Sequence, residues 1–456
     1  MTNEEVTSTT FIKDNSVSDS YYYDGKIKPI ALARCIFNQN RNRYNFVVTR
    51  EDKEIWRYNG NGYYIPDGER FICNQVQQTL DIHSTIHIKN EVISYVKDMA
   101  DIQISYNDFN SKPKLINLQN GVYDLDSGEF KEHDYNYLFT NKLPITYNPE
   151  ATCPNIKKFL SEILDEKDIP IIQELAGYLL LKDYRFHKAF MFIGSGRNGK
   201  STLINLLTRF VGKENVSNVD LQSLDTNRFS AMNLYHKLLN AHSDISSKAL
   251  RLTGLFKQLT GEDMIMGDRK FQEPIQFNNY AKMVFSCNEL PMSQDDTVAF
   301  YSRWILLEFN NQFIGNDCNP NLIESLTTEE EISGLFNWCI EGLERLLKMG
   351  KFSFSDSTNR VKERWIQHSH PLLAFINNRA EIKPEYEVSK TEIYEEYKNY
   401  CADLDVSPIV NNVFSRELKK YVRKIDEVSK HIDGKHIKFW KGIRLKVAEL
   451  DKYPTK

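Results

Sequence analysis

One segment restricts the fold of this chain more than any other. A continuously apolar run, a glycine-rich loop and an amphipathic stretch follow one another in AFMFIGSGRNGKSTLINLLTRF. The apolar run is typical of a strand buried on both faces. The loop has the pattern G-x-x-x-x-G-K-S from Gly194 to Ser201, and apolar residues then recur at helical spacing, at Leu203, Leu206, Leu207 and Phe210. We therefore predict a strand, a phosphate-binding loop and a helix whose N-terminus faces the phosphate.

Each residue type in this loop has a chemical role. Glycines let backbone N–H groups surround phosphate oxygens, a lysine neutralises the β and γ phosphates, and a serine hydroxyl completes the Mg²⁺ shell. We therefore predict a site for ATP and Mg²⁺, in which Lys200 is catalytic and Ser201 is a metal ligand. A plain glycine turn between strand and helix is the structural alternative. The predicted ATP-binding residues are Gly194, Gly196, Asn198, Gly199, Lys200, Ser201 and Thr202.

Three further apolar runs, HKLLNA, AKMVFSC and RWILLEF, read as strands separated by helical or loop segments. This alternation predicts an α/β core with a largely parallel sheet. Asp244 comes just past the first of these strands and could hold Mg²⁺ through water, whereas Asn288 follows the next and could bridge the attacking water and the γ-phosphate. Arg303 starts the last strand, and its planar fork suits charge that develops on phosphate.

Each of these three polar residues also has a structural interpretation. An Asp after a strand is common in turns and helix caps, and Asn-x-x-Pro is ordinary turn chemistry. Arg303 could form a structural ion pair. We predict Lys200, Asp244, Asn288 and Arg303 as the catalytic residues, and Ser201 with Asp244 as the metal ligands.

The order of these features resembles the superfamily 3 helicase domain of phage, plasmid and poxvirus primase-helicases, which belong to the ring-forming AAA+ ATPases. The resemblance covers roughly residues 115–355 and includes INLQNGVYDL and QELAGYLL before the loop. Within this family the chain is similar to the self-loading replication initiator helicases of staphylococcal pathogenicity islands. The resemblance implies a mobile genetic element and the cytoplasm of a bacterial host cell.

The resemblance also implies residue roles. It assigns Asn288 as the sensor and Arg303 as a finger that acts on the neighbouring subunit of a homo-oligomer, expected to be a hexameric ring. It implies that GDRKFQEP, with Arg269 and Lys270 at its centre, is a hairpin that grips single-stranded DNA. An ordinary solvated hairpin is the alternative.

One departure from the family concerns the acids of the site. Many relatives have two adjacent acids where this chain has Ser243-Asp244. The acid that activates the water therefore stays open between Asp244, Glu262 and Asp263.

The C-terminal stretch is basic. Residues 411–446 contain eleven basic and four acidic residues, a net formal charge of +7, within a chain whose total is −4. The stretch resembles the winged-helix module common at the C-terminus of this family, and we predict that it binds origin duplex DNA through phosphate contacts. A solvated basic face is the alternative. The residues predicted to contact DNA from one helix are Arg416, Lys419, Lys420, Arg423 and Lys424.

The length of 456 residues predicts two to four domains. We expect a flexible arm at 1–20, a mixed α+β domain at 21–150, a helical collar with the AAA+ core at 151–354, and a winged-helix-like domain at 365–456. No apolar run reaches the roughly 18 residues of a membrane span. The predicted function is an ATP-driven helicase that binds and unwinds a replication origin. The alternatives are a non-translocating AAA+ switch on DNA and a small-molecule kinase.

Overall fold

The computed structural model describes residues 21–23, 26–40, 45–227, 229–246, 249–268, 274–314, 319, 321–404, 406–432 and 435–446. The arm predicted at residues 1–20 lies outside this range. No helix in the described part of the chain is both long enough and apolar enough to span a bilayer.

A five-stranded sheet forms the centre of the molecule, and all of its pairings are parallel. The four predicted strands are confirmed, because each apolar run becomes a buried strand of this sheet. A fifth strand was not predicted, since it is only two residues long. In spatial order the sheet consists of β11 (Val216–Ser217), β12 (Leu239–His242), β15 (Lys282–Cys287), β10 (Ala189–Ile193) and β16 (Trp304–Glu308).

Both faces of this sheet are covered by apolar side chains. Along β10, Phe190 and Phe192 point into a cluster shared with the helix after the loop, whereas Met191 and Ile193 point into a second cluster on the other face. Successive strand side chains alternate between faces, so a strand covered on both sides must be apolar throughout. The remaining elements of this region are α6 (Lys200–Val211), α7 (Ser223–Thr226), α8 (Gly254–Leu259), β13 (Met264–Gly267), β14 (Ile275–Asn278), α9 (Val298–Tyr301) and α10 (Leu322–Leu326).

Three helices pack beside the first cluster: α4 (Pro154–Ile163), α5 (Ile169–Tyr178) and α11 (Glu329–Met349). The backbones of α5 and α11 approach closely, since a Cβ on Gly177 would lie 2.4 Å from the carbonyl oxygen of Cys339. The carboxylate of Glu174 is fully buried between them and accepts hydrogen bonds from Arg345 Nε at 2.9 Å and the Ser353 backbone N–H at 2.8 Å.

The N-terminal region is a mixed α+β unit with its own core cluster. Two hairpins are present, one formed by β4 (Ile55–Tyr58) with β5 (Tyr64–Ile65) and the other by β7 (Leu115–Leu118) with β8 (Gly121–Asp124). Two helices, α2 (Gly68–Leu80) and α3 (Ile86–Lys97), follow the first hairpin, and they are separate because Asp81 adopts a φ of 47° and Thr85 caps the second helix. The elements are β1 (Tyr22–Tyr23), β2 (Lys26–Ile27), α1 (Pro29–Asn40), β3 (Phe46–Thr49), β4 (Ile55–Tyr58), β5 (Tyr64–Ile65), α2 (Gly68–Leu80), α3 (Ile86–Lys97), β6 (Gln103–Ile104), β7 (Leu115–Leu118), β8 (Gly121–Asp124) and β9 (Phe130–Lys131).

The C-terminal region has a separate core cluster that begins at Leu372. The boundary predicted at residue 365 falls inside a helix, and Trp365 packs against Trp304 of the central sheet at a ring distance of 5.1 Å. A strand, two helices and a hairpin follow, and the first strand pairs with the second strand of the hairpin. The elements are α12 (Thr358–Ser369), α13 (Pro371–Arg379), β17 (Ala380–Ser389), α14 (Lys390–Asp403), α15 (Asn411–Tyr421), β18 (Asp426–Ile432) and β19 (Lys435–Leu445).

Candidate active site

The loop between β10 and α6 depends on two glycines for its path. Gly199 has a φ of 87°, which residues with a side chain rarely adopt, and a Cβ there would lie 2.5 Å from Ile163 Cγ2. A Cβ on Gly194 would lie 2.6 Å from the carbonyl oxygen of Phe309. Gly196 differs, because no heavy atom lies within 4 Å of the Cβ position. The loop is thus packed at both ends and open at its tip.

Lys200 lies at the first position of α6 and is only 7% exposed. Its ammonium donates hydrogen bonds to Gly194 O at 2.6 Å, Ser195 O at 3.0 Å and Asn198 Oδ1 at 2.8 Å. Burial lowers the pKa of Lys200, and the nearby carboxylate of Asp244 opposes that shift. The lysine is therefore aimed into the concave side of the loop, where an anion would add a strong partner.

Residues after β16 wrap around the same loop, which the sequence analysis missed. Asn198, 2% exposed, donates to the carbonyl oxygen of Phe309 at 3.0 Å. Gln312 Nε2 donates to Ser195 Oγ at 2.5 Å, and the Phe313 backbone N–H donates to the Arg197 carbonyl oxygen. These contacts join positions more than a hundred residues apart, so no local spacing could reveal them.

Asp244 and Asn288 lie at the same edge of the sheet as the loop. The carboxyl ends of parallel strands meet at one edge, and β10, β12 and β15 are parallel neighbours. The Asp244 backbone N–H donates to Ser286 Oγ at 3.3 Å, and that of Gly194 donates to the Cys287 carbonyl oxygen at 3.3 Å. The side chains of Asp244 and Asn288 are exposed there, as is that of Ser201. Among the described residues, no group of three or more acidic, His or Cys side chains could hold a metal ion.

Arg303 lies at the opposite edge of the sheet, where the parallel strands begin. Its carbonyl oxygen accepts from the N–H of Ala189, the first residue of β10. The guanidinium donates to Thr260 Oγ1 at 3.0 Å and to the Ala299 carbonyl oxygen at 2.5 Å. Burial lowers the pKa of Arg303, whereas the carboxylate of Asp263 opposes the shift. The structure does not bring Arg303 to the loop of its own chain.

The two other acids considered in the sequence lie with Arg303. Glu262 Oε1 accepts from the N–H of Tyr184 at 3.2 Å, shortly before β10 begins, and Asp263 interacts electrostatically with Arg303. Of the three acids considered, only Asp244 reaches the loop edge of its own chain.

An open cavity of about 750 Å³ adjoins the loop on the side of α4. Its wall combines apolar side chains with the loop residues Arg197 and Gly199 and with Thr202 of α6. Pockets of this kind, apolar with a few polar groups, suit flat organic groups such as a nucleobase. The apolar lining residues are Phe159, Ile163, Phe313, Leu322 and Leu326.

The residues predicted to contact DNA divide into two groups. Arg269 and Lys270 lie outside the described residues, although the strands that flank them, β13 and β14, do form an antiparallel pair. Arg416, Lys419 and Lys420 lie on α15.

The prediction of a single helix is wrong for Arg423 and Lys424. Helix α15 ends at Tyr421, because Val422 is buried with a φ of −101° and a ψ of 91°. The two cations lie in the turn before β18.

Two family models match this chain, one before the central sheet and one within it. Residues 39–165 match the family model described as D5 N terminal like, and residues 192–303 match a family of unknown function, DUF5906. A protein of Acanthamoeba polyphaga mimivirus described as a putative helicase is 29% identical over 244 residues, which are 50% of this chain and 25% of that protein. This part of the chain is therefore similar to a viral protein described as a putative helicase.

A second protein described as a putative helicase, from Invertebrate iridescent virus 3, is 24% identical over 247 residues, 50% of this chain and 26% of that protein. The matched region thus spans about a quarter of the length of these two relatives. Among solved structures, the apo C-terminal region of NrS-1 is similar, with a TM-score of 0.48 and 14% identity over 91% of this chain and 100% of that one.

Proposed function

We propose that this chain is an ATP-hydrolysing replication initiator helicase of superfamily 3 and the AAA+ class, similar to the initiators of staphylococcal pathogenicity islands. The observation that carries the proposal is the common edge of the parallel sheet, where the loop with Lys200 meets Asp244 and Asn288. A phosphate loop, an acid and an amide at one edge are the parts that nucleotide hydrolysis requires. The resemblance to viral helicases supports the same class of reaction.

Within this site the chain's own groups would bind and orient ATP. Lys200 and the loop N–H groups hold the β and γ phosphates, and Asn288 orients the attacking water. Mg²⁺ is usually bound by one or two protein groups together with phosphates and waters, so Ser201 and Asp244 fit its needs. When bound, it neutralises charge on the phosphates. Asp244 is the acid proposed to activate the water, because it alone among the three candidates lies at this edge.

The cavity beside the loop is proposed to hold the adenine base. It lies between α4, the start of α6 and the segment that wraps the loop, so a nucleotide with its phosphates at Lys200 could reach it. Phe313, which is partly exposed, offers aromatic surface to a flat base. No local sequence pattern predicts this pocket, because its walls come from three distant segments.

The location of Arg303 supports a shared site in a ring. A strand of five residues spans ~16 Å at 3.3 Å per residue, which separates Arg303 from the loop of its own chain. An arginine finger can act only on a phosphate that its guanidinium touches, so Arg303 would serve the loop of an adjacent copy. A hexamer is the assembly proposed.

Two regions are proposed to contact DNA. Arg269 and Lys270 would touch the phosphates of a single strand in the channel of the ring. The C-terminal elements from α13 to β19, ordered helix, strand, two helices and hairpin, support a winged-helix-like module for origin duplex DNA. Its basic residues on α15 and in the following turn would neutralise phosphates. The proposed location is the cytoplasm of a bacterial host cell.

The decisive experiment measures ATP hydrolysis with and without single-stranded DNA, and unwinding of a forked duplex, under conditions where particle size is also measured. Wild type is expected to form a ring, to hydrolyse faster with DNA and to separate the strands. Lys200→Ala should lose both activities, whereas Lys213→Ala, which changes an exposed lysine after α6, should keep them. DNA binding that responds to ATP without unwinding would favour the non-translocating switch, and turnover that ignores DNA would favour a kinase.

A further inference from the structure

Three lysines from separate elements converge on one carboxylate in the C-terminal region. The Oε2 atom of Glu427, on β18, lies 3.2 Å from Lys390 Nζ and 3.8 Å from Lys419 Nζ, and its Oε1 atom lies 3.5 Å from Lys438 Nζ. Lys390 is the first residue of α14, Lys419 lies on α15 and Lys438 lies on β19. We name these three residues the lysine triad.

A buried aromatic ring helps to hold the triad. Trp440 is fully buried and is the cross-strand partner of Glu427. The ammonium of Lys390 lies 4.3 Å from the centre of this ring and that of Lys419 lies 5.2 Å from it. A cation near an aromatic face is attracted by the ring quadrupole. The two ammonium groups are thus located by the protein core as well as by Glu427.

The charges of this cluster are unbalanced. One carboxylate faces three ammonium groups, so two positive charges stay uncompensated by Glu427. The side chains of Lys419 and Lys438 are 53% and 66% exposed, which leaves them accessible to a ligand. The hydrogen bond from Lys390 lowers the pKa of Glu427, so the carboxylate is ionised at neutral pH. Ion pairs that involve exposed lysines add little to stability, so Lys419 and Lys438 contribute little to the fold through Glu427.

We propose that the lysine triad binds one backbone phosphate of duplex DNA, and that the carboxylate of Glu427 occupies this phosphate position and competes with DNA. A phosphate offers several acceptor oxygens and can take hydrogen bonds from three ammonium groups at once. The inference rests on the proposed function of the C-terminal module. It adds Lys390 and Lys438, which lie on neither the basic helix nor the turn after it, and it assigns Glu427 as a built-in competitor.

The chain offers a matched control for the competitor. Glu387, on β17, pairs with Lys430 of β18. Lys430 is three residues from Glu427, and alternation along a strand places these two side chains on opposite faces. Glu387→Gln and Glu427→Gln each remove one negative charge from the same small module. A general electrostatic effect would therefore raise the affinity of both variants for duplex DNA equally. Competition at the lysine triad would raise only the affinity of Glu427→Gln.

The experiment measures binding of the full-length chain to a labelled duplex, by anisotropy, across a series of salt concentrations. Glu427→Gln is expected to bind the duplex at least about threefold more tightly than wild type. The affinity of Glu387→Gln should stay within about twofold of the wild-type value. Lys390→Gln and Lys438→Gln should each weaken binding and make the salt slope shallower, by about 0.9 for the loss of one phosphate neutralisation. The double variant with Lys390→Gln and Glu427→Gln should lose most of the affinity that Glu427→Gln alone gains.

The results distinguish a failure of the phosphate site at the lysine triad from a failure of duplex binding by the whole module. If Glu427→Gln behaves as Glu387→Gln does, or if the lysine variants keep the wild-type salt slope, the triad is not a phosphate site, although duplex binding by the module stands. If wild type binds no duplex at all, the proposed function of the module fails and this inference fails with it. Thermal unfolding of each variant identifies any change caused by loss of folding, and Lys390→Arg, which keeps the charge, should retain binding.

Discussion

Arg303 and Lys200 lie at opposite edges of one parallel sheet. Arg303 pairs through its carbonyl oxygen with Ala189 at the start of β10, whereas Lys200 follows the loop at the end of that strand. The first prediction follows from this separation. Arg303→Ala and Lys200→Ala should each lose ATP hydrolysis, with a fall of about 10³-fold or more expected for a finger. A mixture of the two should recover part of it, because some interfaces then combine an intact loop with an intact finger.

Hydrolysis by the mixture, measured as phosphate release at several ratios, checks this prediction. Arg303 also donates hydrogen bonds to Thr260 and Ala299, so thermal unfolding must accompany the assay. Arg303→Lys keeps the charge and loses the planar fork. This variant should therefore fold normally and still be inactive. Mixed particles that assemble without any recovery would contradict a site shared between neighbouring copies.

The second prediction contrasts two glycines of the same loop. Gly199→Ala should abolish nucleotide binding, because a residue with a Cβ at a φ of 87° is strained and the new methyl would overlap Ile163. The strain alone costs roughly 1–2 kcal/mol. Gly196→Ala adds the same methyl in open space, and it should bind a fluorescent ATP analogue nearly as wild type does. Equal losses in both variants would mean that the tip of the loop closes on the nucleotide.

The third prediction concerns the cavity beside the loop. Phe313→Ala removes an aromatic wall from the proposed base pocket. The KM for ATP should rise by roughly tenfold with little change in kcat. This is the result expected when the lost interaction is equally strong in the ground state and the transition state. Inorganic triphosphate, which has no base, should bind both proteins alike. A fall in kcat with an unchanged KM would place Phe313 in the chemistry rather than in base binding.

The sequence allowed the sheet and the loop to be predicted, because their signals are local. The apolar run of β10 and the helical spacing of Leu203 to Phe210 belong to single short segments. The contact between Asn198 and Phe309 spans 111 positions, and only folding reveals it. The end of α15 was missed because basic residues continue past Tyr421, and it is the burial of Val422 that sets the limit.

The last prediction concerns a charge cluster that joins the sheet to the C-terminal region. Glu308 ends β16 beside Ile193, the residue before the loop. It accepts hydrogen bonds from Arg364 Nη2 at 2.7 Å and from His368 Nε2 at 3.1 Å, both on α12. Helix α12 leads directly into α13 and the C-terminal core. Glu308 therefore fastens this connecting helix to the strand that flanks the loop.

The hydrogen bond with His368, followed by the positive charge of Arg364, lowers the pKa of Glu308 from 4.5 to about 2. A carboxyl whose pKa is lower in the folded state stabilises the fold above its unfolded pKa, and this contribution is lost as pH falls through the folded pKa. The free energy of unfolding should thus carry a Glu308 contribution that is complete above about pH 4.5 and disappears toward pH 2.

Glu308→Gln should unfold more easily than wild type at pH 6, and the difference should shrink on acidification. Urea unfolding at several pH values tests this, with Glu363→Gln as the control, since Glu363 pairs with Arg360 on the exposed side of the same helix. Curves for Glu308→Gln and wild type that stay parallel from pH 6 to pH 3 would show that Glu308 does not fasten α12 through its charge.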